Sequence, residues 1–299
     1  MAIDRSLLLS PSTKPDLKFR FHAHDKLVVN SNNKDGKPVL KPVFKGWQDF
    51  APVLGVELEV SFKPTAHPET ATHVKALMDN FVICKSDGSI GNDGIEIVSS
   101  PATLKYHKHD AKWKEFFEAH KDHIVDGHER CGIHIHINKM AFTPMTMGKF
   151  VTFFHLPANA QFLYKVAGRA ESSYAVVRGN EMTKVGWLSK EQNMKSGTKY
   201  SAANIVPEHT IEIRLFASTI NPDLFFKNIE FVYNVWRFVE DTSLSKLGHA
   251  DFVEWVTKNP CEDNYYLRKF LGIGCKRTLD AAVKYKAVME QAAKMGGVK

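Results

Sequence analysis

An α+β fold, with the strands of one sheet interleaved with helices, is predicted by three observations on this 299-residue chain. Four segments alternate residue by residue: Gly55-Val56-Glu57-Leu58-Glu59-Val60, Gly94-Ile95-Glu96-Ile97-Val98, Cys131-Gly132-Ile133-His134-Ile135-His136-Ile137-Asn138 and Thr210-Ile211-Glu212-Ile213-Arg214-Leu215. A two-residue period is that of a strand, with Val, Ile or Leu on one face of each. Between these segments lie stretches with helical apolar spacing and helix-end residues. A 43% hydrophobic content over this length is enough to bury a sizeable core, in one large domain or one domain with appendages.

Residues 1–50 are the least patterned. They hold a basic and aromatic run, Leu17-Lys18-Phe19-Arg20-Phe21-His22, and a turn-rich stretch at residues 30–37, which reads as a hairpin turn or a loop in an extension. After the first alternating strand, residues 70–77 read as a short helix and 81–84 as a strand. Asp87-Gly88 and Asp93-Gly94 mark the turns of a hairpin. Residues 106–120 read as one helix carrying Trp113, Phe116 and Phe117, and residues 146–167 as a helix that breaks before Pro157. The clearest helix starts with Asn221 as cap and Pro222 in the first position, then runs through Phe225, Ile229, Val232, Trp236 and Val239. Residues 252–257 and 265–271 read as shorter helices, and 278–294 as a last, basic one. The chain thus divides into an N-terminal extension (1–50), a main domain (51–245) and a basic helical region (246–299).

What the second face of the four strands carries is unusual. A half-buried strand ordinarily shows Lys, Thr, Ser and Gln to water, whereas these show Glu57, Glu59, Glu96, His134, His136, Asn138, Glu212 and Arg214. Carboxylates two positions apart on a strand sit about 7 Å from one another and repel by about 2 to 3 kcal/mol at an effective dielectric near 20. Convergence of four would multiply that cost, and hard divalent cations such as Mg²⁺ or Mn²⁺ remove it. Each pattern also has a plain reading: a solvated edge for Glu57 and Glu59, a structural pair for the two histidines, and mutual neutralisation for Glu212 and Arg214.

In their order, GVELEV, DGSI, GIEIVSSP, CGIHIHIN, AGR with a nearby Tyr, and YSAAN before TIEIRLFAST resemble the amidoligase family of glutamine synthetase-like carboxylate-amine ligases, over roughly residues 53–240. The resemblance implies a curved antiparallel sheet, backed by helices, whose concave face holds ATP and two or more divalent ions. It implies metal roles for Glu57, Glu59, Glu96, His134 and Glu212, with His136 near the nucleotide phosphates and Arg214 on the transferring phosphate. Asp87, Ser89, Arg169 and Asn204 would contact substrate or nucleotide. For these four a turn, a surface cation and a turn cap are the equally plain readings. The implied activity is ATP-dependent amide formation between an acid and an amine, small molecules or peptides.

Other chemistries lack their signatures. There is no GxxxxGK[ST] phosphate loop, no GxGxxG, no HExxH and no GxSxG; a His-x-His hydrolase would not need so many carboxylates and an arginine on neighbouring strands. The net charge of +7 sits mostly in residues 265–299, which hold eight bases against two acids. A solvated helix face explains this most simply. A catalytically inactive relative that docks on an anionic partner through the tail is the alternative function, and nucleic acid is the least favoured partner. No apolar run is long enough to cross a bilayer, and the four cysteines form no close pair, which together predict a soluble protein of a reducing cytoplasm.

Overall fold

The computed structural model describes residues 3–17, 20, 52–91, 93–170, 175, 177 and 201–273, with backbone alone at 27–32 and 38–42. The strands are β1 (Leu27–Asn32), β2 (Pro38–Pro42), β3 (Leu54–Phe62), β4 (Val82–Lys85), β5 (Gly94–Ser99), β6 (Ile124–Val125), β7 (Gly132–Asn138), β8 (Ala203–Asn204) and β9 (Thr210–Ala217). β1 and β2 form a separate antiparallel pair, and the other seven form one antiparallel sheet in the order β4-β5-β3-β7-β9-β8, with β6 on β3. The four alternating segments are therefore four adjacent central strands, although long stretches of chain separate them.

One face of this sheet is apolar throughout: Val56, Leu58, Ile97, Ile133, Ile135, Ile137, Ile211 and Ile213 are all buried. Among the helices that cover the core, the 20-residue α6 (Pro222–Asp241) is the largest. Asn221 caps it as its sequence predicts, its side chain accepting from Asp223 N and Leu224 N. Its Phe231 packs edge-on against Phe216 of β9 and Phe154 of α4 (Pro144–His155). α5 (Ala160–Ala167) packs on β9, and α7 (His249–Lys258) and α8 (Tyr265–Phe270) pack on α6. An ion pair buried among them ties distant parts together: Lys108 Nζ lies 2.7 Å from Glu230 Oε1, while Glu230 Oε2 accepts from Leu267 N at 2.9 Å.

α1 (Thr70–Leu77) and the break at Pro157 follow the sequence. Residues 106–120 do not form one helix. They form α2 (Leu104–His109) and α3 (Trp113–His120), separated where Lys112 takes a left-handed φ of 52°. The turn lets Trp113 reach back over His107, with ring centroids 6.4 Å apart and planes within 17°. The segment at 146–167 begins earlier, at Pro144, because Thr143 and Thr146 build a reciprocal cap around a first-position proline. The stretch at 30–37 is strand at its start, β1 reaching Asn32, and its residues 33–37 lie outside the described residues, as does the basic helix expected at 278–294.

Two predictions follow from these packing relations. Trp113 Nε1 donates to His107 Nδ1 at 3.2 Å, so that nitrogen holds the lone pair and Nε2–H donates to Leu54 O at 2.8 Å. Burial pushes His107 down to about 4. The unfolded chain takes this proton near pH 6.5, so stability falls as pH drops from about 6.5 towards about 4. Urea midpoints between pH 7.5 and 4.5 should show that loss, and His107→Gln, which offers the same donor and acceptor without titrating, should flatten it. Ile135 is fully buried in the apolar face. Ile135→Asp should cost about 4 kcal/mol or more in denaturant melts, whereas His134→Ala, on the opposite face, should leave a folded protein.

Candidate functional site

Strand register decides which polar groups meet. Glu57 stands opposite His134 and Glu59 opposite Glu96. His136 stands opposite Glu212, Glu212 opposite Asn204, and Lys85 opposite Glu96. Directly opposed residues share a face, so five strands deliver charged or imidazole side chains to one side of the sheet and β8 adds Asn204. Glu59, Glu96, Lys85, His134 and Glu212 are all buried.

His134 lies at the centre. Its Nδ1 is 3.3 Å from Glu57 Oε2 and 3.4 Å from Glu212 Oε1, and its Nε2 is 3.8 Å from Glu59 Oε1. Glu212 is held on both oxygens: Arg214 Nη1 donates to Oε1, and Asn204 Nδ2 donates to Oε2 at 2.7 Å. Glu59 Oε2 accepts from the Gly132 amide at 2.6 Å. Glu96 pairs with Lys85 Nζ at 3.2 Å.

Among the described residues, Glu57, His136 and Glu212 meet metal-ligand spacing, offering one atom each within 4.8 Å of one another. His136 Nδ1 bonds Thr210 Oγ1 at 2.9 Å. If the ring nitrogen donates there, Nε2 keeps its lone pair. That buried Nε2 is 3.3 Å from Glu57 Oε1: protonated it pairs with this carboxylate, and deprotonated it would be a ligand nitrogen oriented by its second contact. Two carboxylates and an imidazole suit Mg²⁺, Mn²⁺ or a similar divalent ion. The trio takes the imidazole that the resemblance places at the phosphates. His134 touches the same two carboxylates, and Glu59 and Glu96 share the face.

The electrostatics are those of charges withdrawn from water. Burial pushes Glu96 up to about 7, helped by the Glu57 charge and opposed by Lys85. Burial also raises Glu59, against the pull of His134. Burial works on Glu57 in the same direction, yet His136 and His134 together outweigh it and hold this carboxyl well below its usual range. For His136 burial favours the neutral ring, but Glu57 and Glu212 together raise it. Burial pushes the thiols of Cys84 and Cys131 up to about 12, so neither is a nucleophile near neutral pH.

The remaining expected residues divide. Asp87 Oδ1 accepts from Ser89 N and Oγ, both at 2.8 Å, which closes the turn, and the Asp87 charge reaches Glu59. Asn138 turns away from the cluster to take the Val53 amide at 2.9 Å. Arg169 directs two donors at main-chain carbonyls, Nε to Leu215 O and Nη2 to Arg214 O, each at 2.8 Å. Two residues missing from the sequence reading belong here, Lys85 and Thr210. Both had a signal: Thr210 shares parity with Glu212 and Arg214, and Lys85 ends a strand that pairs with Glu96.

No family model matches the chain, and no curated protein matches it. Among solved structures, a chain in the crystal structure of the complex between the prokaryotic ubiquitin-like protein Pup and its ligase PafA is similar at 9% identity and a TM-score of 0.34, over 83% of this chain and 69% of that one. The site therefore stands on its own geometry.

Glu57→Gln and Glu212→Gln keep shape and remove a negative ligand, so each should weaken Mn²⁺ binding at least tenfold in calorimetric titration, a loss of about 1.4 kcal/mol or more. Arg214→Gln should do the reverse and tighten it severalfold, because Arg214 is already bonded to the Glu212 carboxylate that an ion would share.

Proposed function

We propose that this protein is an ATP-dependent carboxylate-amine ligase with a glutamine synthetase-like sheet. The observation that carries this reading is the trio Glu57, His136 and Glu212 at ligand spacing with Arg214 bonded to one of its carboxylates. A metal trio alone would suit many hydrolases. A guanidinium beside it adds a planar fork of donors suited to phosphate.

Glu57, His136 and Glu212 would hold a divalent ion, and the cross-strand pair Glu59 and Glu96 is proposed for a second. Bound there, such ions neutralise charge on nucleotide phosphates. The work of the protein groups follows from their places. Arg214 turns from Glu212 to the γ-phosphoryl group and stabilises the charge spread over its oxygens as the bond to ADP breaks. His134 stands between Glu57, Glu59 and Glu212 and would orient them. A substrate carboxylate oxygen attacks the γ-phosphorus, giving an acyl phosphate and ADP. The amine nitrogen then attacks the acyl carbon, losing a proton, and the C–O bond to phosphate breaks. The balance is acid plus amine plus ATP giving amide, ADP and phosphate. ATP is needed because both partners are ionised at neutral pH and their direct condensation in water is unfavourable.

Contact with substrate or nucleotide is assigned in this reading to Asp87 and Ser89, which close one turn, and to Asn204, which is bonded to Glu212. Among the described residues no helix is long and apolar enough to cross a membrane. A cytoplasmic enzyme acting on small-molecule or peptide acids and amines fits this reading.

Mass spectrometry of reactions containing Mg²⁺, ATP and pools of amino acids, polyamines and peptides should reveal products lighter by one water than the summed reactants. With ¹⁸O in the substrate carboxylate, label should reach released phosphate. Label in AMP would replace the acyl phosphate by an adenylate. No nucleotide consumption with any acid and amine would favour an inactive protein that docks on an anionic partner.

A further inference from the structure

A regular two-residue alternation runs along β9 only as far as Arg214. Ile211 and Ile213 point into the core and Glu212 and Arg214 to the site, but Leu215 and Phe216 are both buried. The register explains how. Ile135 pairs with Ile213 and Ile133 with Phe216, so the single residue His134 on β7 faces two residues, Arg214 and Leu215, on β9. This is a β-bulge, and it switches the parity of the strand. Without it, a strand that put Arg214 on the site side would put Phe216 there too. With it, Phe216 enters the core against Phe231, and Arg214 stays beside Glu212.

A bulge withdraws main-chain groups from the ladder, and buried carbonyls need donors. Here one side chain supplies both. Arg169 Nη2 donates to Arg214 O and Nε to Leu215 O, each at 2.8 Å. The guanidinium reaches them by passing over Gly132, where an added Cβ would stand 3.4 Å from Arg169 Nη1 and 3.2 Å from Phe216 O. Gly132 is also the residue whose amide holds Glu59. Arg169 itself follows the left-handed Gly168, with a φ of 74°, that ends α5. The α5 end is fixed in turn by buried Lys227, whose Nζ donates to Val166 O.

We infer that Arg169 is a positioning residue: it clamps the β9 bulge and thereby holds Arg214 on Glu212. This deepens the phosphate role proposed above for Arg214 and rests on it for its meaning. It also gives Arg169 a different task from contacting substrate anions, since two of its donors are committed to the main chain.

The test uses Mn²⁺ alone as probe, with hydrogen exchange on the ligand-free protein. Arg169→Lys keeps the positive charge and loses the fork, so a charge effect on the ion cancels and a positioning effect remains. Released from its clamp, Arg214 should leave Glu212, and Mn²⁺ should bind about three- to tenfold tighter. In an Arg214→Gln background the same substitution should add nothing, because the group it acts through is gone. Amides of residues 210–218 should exchange faster in Arg169→Lys, with the helices unchanged. Additive effects of the two substitutions, or unchanged exchange at 210–218, would overturn the inference. If Arg169→Lys does not fold, Arg169→Gln, which cannot reach both carbonyls with a fork of donors, is read by exchange at 210–218: faster exchange supports the clamp and unchanged exchange overturns it. A parent protein that binds no Mn²⁺ would sink the metal reading instead, and exchange at 210–218 would still decide the clamp: faster exchange supports it and unchanged exchange overturns it.

Discussion

Four carboxylates, Glu57, Glu59, Glu96 and Glu212, are drawn onto one side of a sheet and largely removed from water, and the rest of the structure answers that constraint. Each lost hydration must be replaced by a paired donor, or the group takes up a proton. His134 sits against three of them, Lys85 pairs Glu96, Arg214 and Asn204 hold Glu212, and the Gly132 amide holds Glu59. Glu57 is the acid kept most firmly ionised, with an imidazole on each oxygen.

Such a face requires a rigid support. The sheet supplies it through its other side, where β-branched and leucine side chains pack against a phenylalanine-rich helical layer. A one-residue slip in any central strand would exchange the two faces, placing isoleucines in the site and carboxylates in the core, so packing and chemistry specify one register. The departure from regular pairing, the β9 bulge, falls beside Arg214 and Glu212. Bulges commonly re-aim side chains at functional sites. This one also lets the strand return its next aromatic residue to the core.

The polar network divides into groups that can bind something and groups already committed. Thr210 orients His136, Asn204 orients Glu212, and Arg169 is spent on carbonyls of the bulge. Arg214 belongs to both classes, because its present bond to Glu212 is with the carboxylate a metal ion would share. In the proposed reading, cation binding and the release of this arginine would be linked through the Glu212 carboxylate.

Period and end signals in the sequence determined the strands that carry the site, the face each site side chain takes as far as Arg214, the cap of α6 at Asn221 and the break at Pro157, because alternation and capping are local properties of neighbouring residues. They also determined that Glu57, Glu59, Glu96, His134, His136, Glu212 and Arg214 would lie on polar faces. Local pattern could not decide which strand lies beside which, since pairing joins residues tens of positions apart. The tertiary structure alone therefore brought Glu57, His136 and Glu212 within ligand spacing, set His134 against the same two carboxylates, and brought Lys85 to Glu96. It also split residues 106–120 into two helices, where the contact of Trp113 with His107 outweighed helical continuity. Arg169 is the sharpest case: its neighbours in the chain describe a helix end, while its partners are two carbonyls 45 and 46 residues away on a strand whose irregularity only pairing reveals.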